Sequence, residues 1–120
     1  MLTEFGKELR KLRIDKNETL SSMSKKMDIS ISYLSAIENG IRDIPIDFID
    51  KLVEIYKLSN KKRDVFLKAF ANSTKKIDIS LNSTMNEQRE LAIMLSRKIN
   101  DLTKDECQKI MEIIGGDKNE

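Results

Sequence analysis

Apolar residues recur at helical spacing along almost the whole chain, and few residues are present that would interrupt a helix. Of the 120 residues, four are glycine and one is proline. Two stripes show the helical spacing most clearly: Ile49, Leu52, Val53 and Tyr56, and Val65, Phe66, Ala69 and Phe70. Residues at such spacing lie on one face of a helix and pack into a core. The sequence therefore predicts an all-α fold, with five helices in the N-terminal part and two in the C-terminal part.

Residues that can cap a helix precede each predicted helix of the N-terminal part. A side-chain oxygen at this position accepts a hydrogen bond from a free backbone N–H group. The predicted caps are Thr3, Thr19, Ser30, Asp47, and Ser59 or Asn60. Asn39-Gly40 predicts a helix end, because glycine tolerates the left-handed conformation found there. Pro45 prevents the helix from continuing before the fourth one begins.

The chain divides at a segment where the helical spacing is lost. In residues 73–84 the apolar side chains of Ile77, Ile79 and Leu81 alternate with polar ones, the period of an extended chain. This segment is predicted to be a linker, with a possible short strand that would pair with the same segment of a second chain. The resulting division is a domain at 1–72, a linker at 73–84, a helical segment at 85–115 and a loose tail at 116–120.

The two C-terminal helices have predicted capping boxes, in Thr84-x-x-Glu87 and Thr103-x-x-Glu106, and apolar faces. The Gly115-Gly116 pair is predicted to end the second helix. A pair of helices this short cannot bury both faces alone. It either completes the core of the monomer or meets another chain, and its acidic character and Met- and Ile-rich faces favour an interface. The predicted dimer or partner interface consists of Leu91, Met94, Leu95, Ile99, Ile110, Met111 and Ile114.

Composition argues against catalysis. Histidine is absent and Cys107 is the single cysteine, which excludes an internal disulfide, a Cys/His zinc site and a His-based triad. No glycine-rich phosphate loop is present, so neither catalytic nor metal-binding residues nor a cofactor are predicted. The sequence has neither a secretory signal pattern nor a run of the roughly 20 apolar residues that would span a bilayer. We expect a cytoplasmic protein that is not an enzyme and does not enter a membrane.

The stretch from Thr19 to Gly40 is the most informative for function. Its two short helices are joined by a tight turn around Asp28-Ile29. Ser24 is small enough for the two helices to approach closely, and Ile29 is an apolar residue within the turn. Leu34 and Ile37 anchor the second helix, so its other side faces outward. This is the layout of a helix-turn-helix, whose second helix enters the major groove of DNA.

The segment from about Phe5 to Leu58 resembles the Cro and lambda-repressor type of helix-turn-helix domain, the XRE family. The matching residues, in chain order, are Leu12-Arg13, Thr19-Leu20, Ile29-Ser30, Ile37-Glu38-Asn39-Gly40, Arg42 and Pro45. The sequence departs from the family at Asp28, where glycine is usual, and at Asp43 and Ile44, where relatives often carry basic residues. Aspartate can adopt the left-handed conformation of the turn, whereas the loop residues predict weaker phosphate contact.

The resemblance implies roles for individual residues. Base contacts fall to Ile31, Ser32, Tyr33, Ser35 and Ala36. DNA backbone contacts fall to Arg10, Thr19, Leu20, Ser30, Asn39 and Arg42. Tyr33 can instead pack inward, and Asn39 can instead cap its helix. Arg13 and Glu38 are implied to form a partly buried structural ion pair between the first and third helices.

Charge is unevenly distributed. Residues 1–76 contain 16 basic and 11 acidic residues, and residues 77–120 contain 6 and 9. This asymmetry either indicates an anionic partner for the N-terminal part or is chance variation in solvated charge. With the resemblance, it predicts a dimeric regulator that binds an inverted repeat in double-stranded DNA, such as an autorepressor of a phage, plasmid or integrated element. The alternative is an antitoxin or inhibitor whose C-terminal helices bind a protein target, such as a toxin or antirepressor.

Overall fold

The computed structural model describes residues 1–82 and 85–115, and every helix predicted from the sequence is present in them. In chain order, the helices are α1 (Glu4–Lys16), α2 (Leu20–Lys26), α3 (Ile31–Glu38), α4 (Phe48–Tyr56), α5 (Asn60–Ser73), α6 (Asn86–Lys98), a short 3-10 helix (Ile99–Asp101) and α7 (Lys104–Gly115). No residue in these two ranges forms a strand. The chain divides into two units, residues 1–78 and residues 79–120.

Side-chain caps begin four of the five N-terminal helices as predicted. Thr3, Thr19, Ser30 and Ser59 each accept a hydrogen bond from a backbone N–H group three residues later. Asp47 occupies the fifth cap position, but its side chain makes no capping bond. It lies instead 3.7 Å from the ammonium group of Lys51. The prediction that Asp47 caps α4 through its carboxylate is therefore wrong.

The core of the N-terminal unit forms around the ring of Phe5. This side chain is fully buried, and its ring centroid lies 5.6, 5.8 and 6.0 Å from those of Phe48, Phe66 and Phe70, all in edge-on geometry. Such pairs add to the free energy gained by burial. They join α1 to α4 and α5, and α1 also packs against α3. Val65 was expected in this core but is 37% exposed.

The helices of the C-terminal unit bury none of their described residues. The predicted box at Thr103 and Glu106 is confirmed, since each residue's backbone N–H donates to the other's side chain. The capping box predicted for α6 includes Thr84, and the end predicted for α7 includes Gly116. Both residues lie outside the described ranges. At the start of α6, the side chain of Gln88 accepts from the backbone N–H of Met85 at 3.0 Å.

The segment between α5 and α6 has no regular structure over its described residues. Residues 75–81 form neither helix nor strand, and Ile77 and Ile79 are more than half exposed. An alternating pattern needs a neighbouring strand to satisfy its backbone groups, and none is present in residues 1–82 and 85–115. The described part of this segment therefore contains no strand.

Candidate nucleic-acid interface

The turn between α2 and α3 has the geometry that a helix-turn-helix requires. Asp28 adopts a left-handed conformation, with φ of 60°. The backbone N–H of Ile29 then donates to the carbonyl of Ser24 at 3.0 Å. Ser24 is 2% exposed, and its hydroxyl donates to the carbonyl of Ser21. A larger polar side chain at Ser24 would separate the helices, so the turn depends on this small residue as well as on Asp28.

One side of α3 is anchored in the core, and the other faces outward. Leu34 and Ile37 are almost completely buried. Ile31 and Ser32 are exposed. The remaining predicted base-contacting residues are half-buried: Tyr33, Ser35 and Ala36. The outward side of α3 thus combines an apolar side chain at Ile31 with a hydroxyl at Ser32, groups that can meet a thymine methyl and a base edge respectively.

Arg42 lies against this outward side. Its guanidinium carbon is 5.2 Å from the ring centroid of Tyr33, within the range of a cation–π interaction. A shallow cavity of about 460 Å³ lies between them, and Ser30, Ser32 and Ala36 also line it. Tyr33 packs against the core with part of its surface, so its ring both supports α3 and holds Arg42 beside it.

The other predicted backbone-contacting residues lie on α1 or at the ends of α2 and α3. Ser30 and Thr19 are exposed, at the N-terminal ends of α3 and α2, where free N–H groups favour anions. Leu20 is half-buried and packs against the core. The side-chain amide of Asn39 donates to the carbonyl of Ser35 at 2.8 Å, so it caps its own helix. Arg10 is exposed on α1.

A buried ion pair fixes the end of α3. Arg13 and Glu38 are 8% and 3% exposed, and both guanidinium amino groups of Arg13 donate to the Glu38 carboxylate. Arg13 also lies 3.4 Å from the sulfur of Met23, which links α2 to the same pair. Removal of one partner would leave a buried charge unpaired, which costs about 3–5 kcal/mol. These residues stabilise the position of α3 and are structural.

Two contacts that the sequence did not predict hold the same helix end. The backbone carbonyl of Glu38 accepts hydrogen bonds from the backbone N–H and the hydroxyl of Thr3. Gly6 allows this approach, since a Cβ atom there would lie 2.3 Å from the carbonyl oxygen of Glu38. The sequence does show a glycine within a helical pattern, which can signal close packing. It does not show that the group packed against Gly6 is the carbonyl of Glu38, 32 positions along the chain.

A second unpredicted cluster joins α2 to α4. The hydroxyl of Tyr56 donates to Glu18 at 2.7 Å. Glu18 also accepts from Lys26, whose ammonium lies 5.2 Å from the centre of the Tyr56 ring. The hydrogen bond from Lys26 outweighs desolvation by burial, and together with the Tyr56 hydroxyl it holds the pKa of Glu18 below its usual value. Burial first, and then the bond to Glu18, raise the pKa of Tyr56.

Among the described residues, no group of three or more Cys, Asp or Glu side chains is placed to hold a metal ion. No helix in the described part of the chain is long and apolar enough to cross a membrane. The outward side of α3 supplies hydroxyl groups and an apolar side chain, and Arg42 beside it supplies one guanidinium group.

Comparison with known proteins defines the class of this domain. A helix-turn-helix family model matches residues 9–59, which contain the α2–turn–α3 geometry, so this segment is a DNA-binding helix-turn-helix domain. The matched residues form a domain of the Cro and lambda-repressor type, as in the XRE family, and this match supports a DNA-binding transcription regulator as the class of the chain. A search of curated proteins and a search of solved structures found no match.

The predicted interface residues of the C-terminal unit are mostly exposed. Leu91, Met94 and Ile114 are 61%, 62% and 71% exposed. Ile99 and Met111 are close to half exposed, and Leu95 and Ile110 are half-buried. Within the described part of this unit, its helices therefore present apolar side chains to their surroundings.

Proposed function

We propose that this regulator is a sequence-specific repressor that binds double-stranded DNA through the outward side of α3. The observation that supports this function most strongly is the division of α3 into two sides. Leu34, Ile37 and Glu38 are buried and fix the helix, whereas Ile31 and Ser32 face outward. A helix held in this way can enter the major groove as a rigid element. Such a function needs no catalytic step and is exercised in the cytoplasm.

The composition of α3 sets the expected mode of recognition. The helix contains no Arg, Lys or Gln, the residues that form the strongest bidentate contacts with bases. We therefore expect modest direct readout from Ile31, Ser32, Ser35 and Ala36, supported by the sequence-dependent shape of the DNA. Arg42 and the N-terminus of α2, at Thr19, position the domain on phosphates.

The test of DNA recognition is footprinting on the DNA upstream of the protein's own gene. We expect protection of an inverted repeat, with autorepression as the consequence. Substitution of Ser32→Ala with Ser35→Ala should change the preferred sequence, whereas Arg42→Ala should weaken binding to every sequence and reduce its salt dependence. Ser96→Ala, in α6, is the matched control. Unchanged footprints in both sets of variants would contradict the assignment of this surface.

We further propose that the C-terminal unit makes the regulator a dimer. The exposed apolar side chains of α6 and α7 support this, because short helices without a buried face need a covering partner. Two domains on a two-fold axis make the second DNA contact effectively intramolecular. The operon that it controls is proposed to be that of a phage, plasmid or integrated element.

The dimer is tested in the full chain by Leu95→Asp with Met111→Asp. We expect light scattering to change from dimer to monomer mass and affinity for the inverted repeat to fall by about 100-fold, while affinity for a single half-site is kept. Ser96→Asp with Gln108→Asp is the control, since it adds the same charge at exposed positions outside the predicted interface. A wild-type chain that is monomeric would contradict the dimer.

The same exposed faces also support a second candidate, an antitoxin or inhibitor that covers a protein target with its C-terminal helices. Copurification of one foreign protein in a fixed stoichiometric ratio, lost in the Leu95→Asp, Met111→Asp variant, would favour this function over the homodimer. Regulation of its own operon by the N-terminal domain would then accompany the inhibition.

A further inference from the structure

A polar cleft lies where the chain leaves α5, beside the end of α3. Its volume is about 470 Å³, and the residues that bear on its chemistry are Asn39, Gly40, Arg42, Asp43, Lys75 and Lys76. Three of these side chains are cationic and one is acidic. The lysines belong to the segment that follows α5, which the sequence predicted only to be a linker.

The walls of this cleft are joined by hydrogen bonds. At the end of α5, Ser73 accepts from the backbone N–H of Phe5 at 3.1 Å and donates to the carbonyl of Ala69 at 2.7 Å. At the end of α3, the carbonyl of Glu38 accepts from Thr3. Both ends are therefore tied to the first turn of α1. Lys75 and Lys76 follow Ser73 directly, so the fold brings their backbone close to α3.

The cleft continues the surface proposed to bind DNA. Arg42 lines this cleft and also the shallow cavity bounded by Ser32, Tyr33 and Ala36. Arg42 therefore lies between the outward side of α3 and the two lysines. When α3 enters the major groove of a duplex, phosphate groups lie along both borders of that groove. Arg42, Lys75 and Lys76 would face the same border.

The chemistry of the cleft suits a phosphate group. Lysine binds phosphate as a point charge and arginine binds it through a planar fork of donors. The ion pair that Lys76 makes with Asp78 spans 3.9 Å, and both side chains are more than four-fifths exposed. An exposed pair of this kind contributes little free energy, so the Lys76 ammonium can turn from Asp78 to a phosphate at little cost.

We propose that Lys75 and Lys76, together with Arg42, bind phosphate of the DNA backbone next to the major groove that α3 enters. This inference rests on the proposed function and adds a specific partner group for the start of the linker. The bound DNA then holds residues 74–76 in place. The linker is accordingly part of the DNA-binding surface and not only a connection to the C-terminal unit.

The experiment compares two double variants of the full chain that lose the same charge. Lys75→Ala with Lys76→Ala removes the cleft lysines, and Lys61→Ala with Lys68→Ala removes two exposed lysines of α5 that line none of these cavities. Affinity for a duplex containing the operator, and for a duplex of unrelated sequence, is measured between about 50 and 200 mM salt.

We expect the cleft variant to bind both duplexes at least about tenfold more weakly than the wild-type chain. The slope of its log affinity against log salt concentration should be smaller in magnitude by about 2. The α5 variant should keep nearly the wild-type slope. The charge-conserving variant Lys75→Arg with Lys76→Arg should also have the wild-type slope, unlike the alanine variant of the cleft. Equal slopes in the two alanine variants would overturn the inference alone. Failure of the wild-type chain to bind any duplex would overturn the proposed function as well.

Discussion

The two units of this chain have similar helical patterns and opposite patterns of burial. Leu52 in α4 is completely buried, whereas Leu91 in α6 is 61% exposed, although each lies on the apolar face of its helix. In the N-terminal unit five helices cover one another's apolar faces. In the described part of the C-terminal unit, the faces of α6 and α7 contain no buried residue. Helical spacing thus indicates which face of a helix is apolar but not what covers it.

The largest expected effect compares these two leucines directly. Leu52→Ala should lower the free energy of unfolding by about 2–5 kcal/mol, because it leaves a cavity in a closed core. Leu91→Ala should change it by less than about 0.5 kcal/mol in dilute solution, since the side chain is already exposed. Urea unfolding followed by circular dichroism measures both. A comparable loss at Leu91, growing with protein concentration, would show that this face is covered by a second chain.

An intermediate effect is expected at Gly6, where α1 closely approaches the end of α3. Gly6→Ala should lower the free energy of unfolding by about 1–3 kcal/mol, because the new methyl group meets the carbonyl of Glu38. Helix propensity alone predicts the opposite sign, a gain of about 1 kcal/mol. Thermal unfolding of the variant distinguishes the two. Lys7→Ala, at an exposed neighbouring position, is the control, and a stabilised Gly6→Ala protein would contradict the close approach.

The smallest expected effect is a pH dependence at Glu18. Its pKa is lower in the folded state than the usual value of 4.5, so its ionised form stabilises the fold above that pH and the contribution is lost as pH falls below it. Glu18→Gln should therefore cost of the order of 1 kcal/mol near neutral pH and less at a pH below 4.5. Urea midpoints at the two pH values measure this. Glu54→Gln is the control. A stability difference between the wild type and Glu18→Gln that is the same at both pH values would contradict the role assigned to the Glu18 charge.

Local signals explain most of what the sequence predicted. Caps such as Thr19 and Ser30 act on N–H groups three residues away, so they can be read from a short window of sequence. The helix-turn-helix follows from such local signals together with the resemblance, which also implied the pairing of Arg13 with Glu38. Asp47 shows the limit of a local rule, because its carboxylate lies near Lys51 instead of capping α4.

The contacts that the sequence did not predict join residues far apart in the chain. Glu18 and Tyr56 are separated by 38 positions, and Ser73 and Phe5 by 68. Their hydroxyl and carboxylate groups are common on surfaces, and only the packing of helices brings them together. The cleft beside Lys75 was missed for the same reason, since a linker pattern carries no information on which helix end lies next to it.

The attachment of α3 has a consequence for how such a regulator can diversify. Its inner residues, Leu34 and Ile37, and its last residue, Glu38, make the contacts that hold it. Ile31 and Ser32 make no part of that attachment. The residues proposed to read DNA can accordingly be exchanged for others without rebuilding the domain, so new operators could be acquired by a few substitutions on an unchanged scaffold.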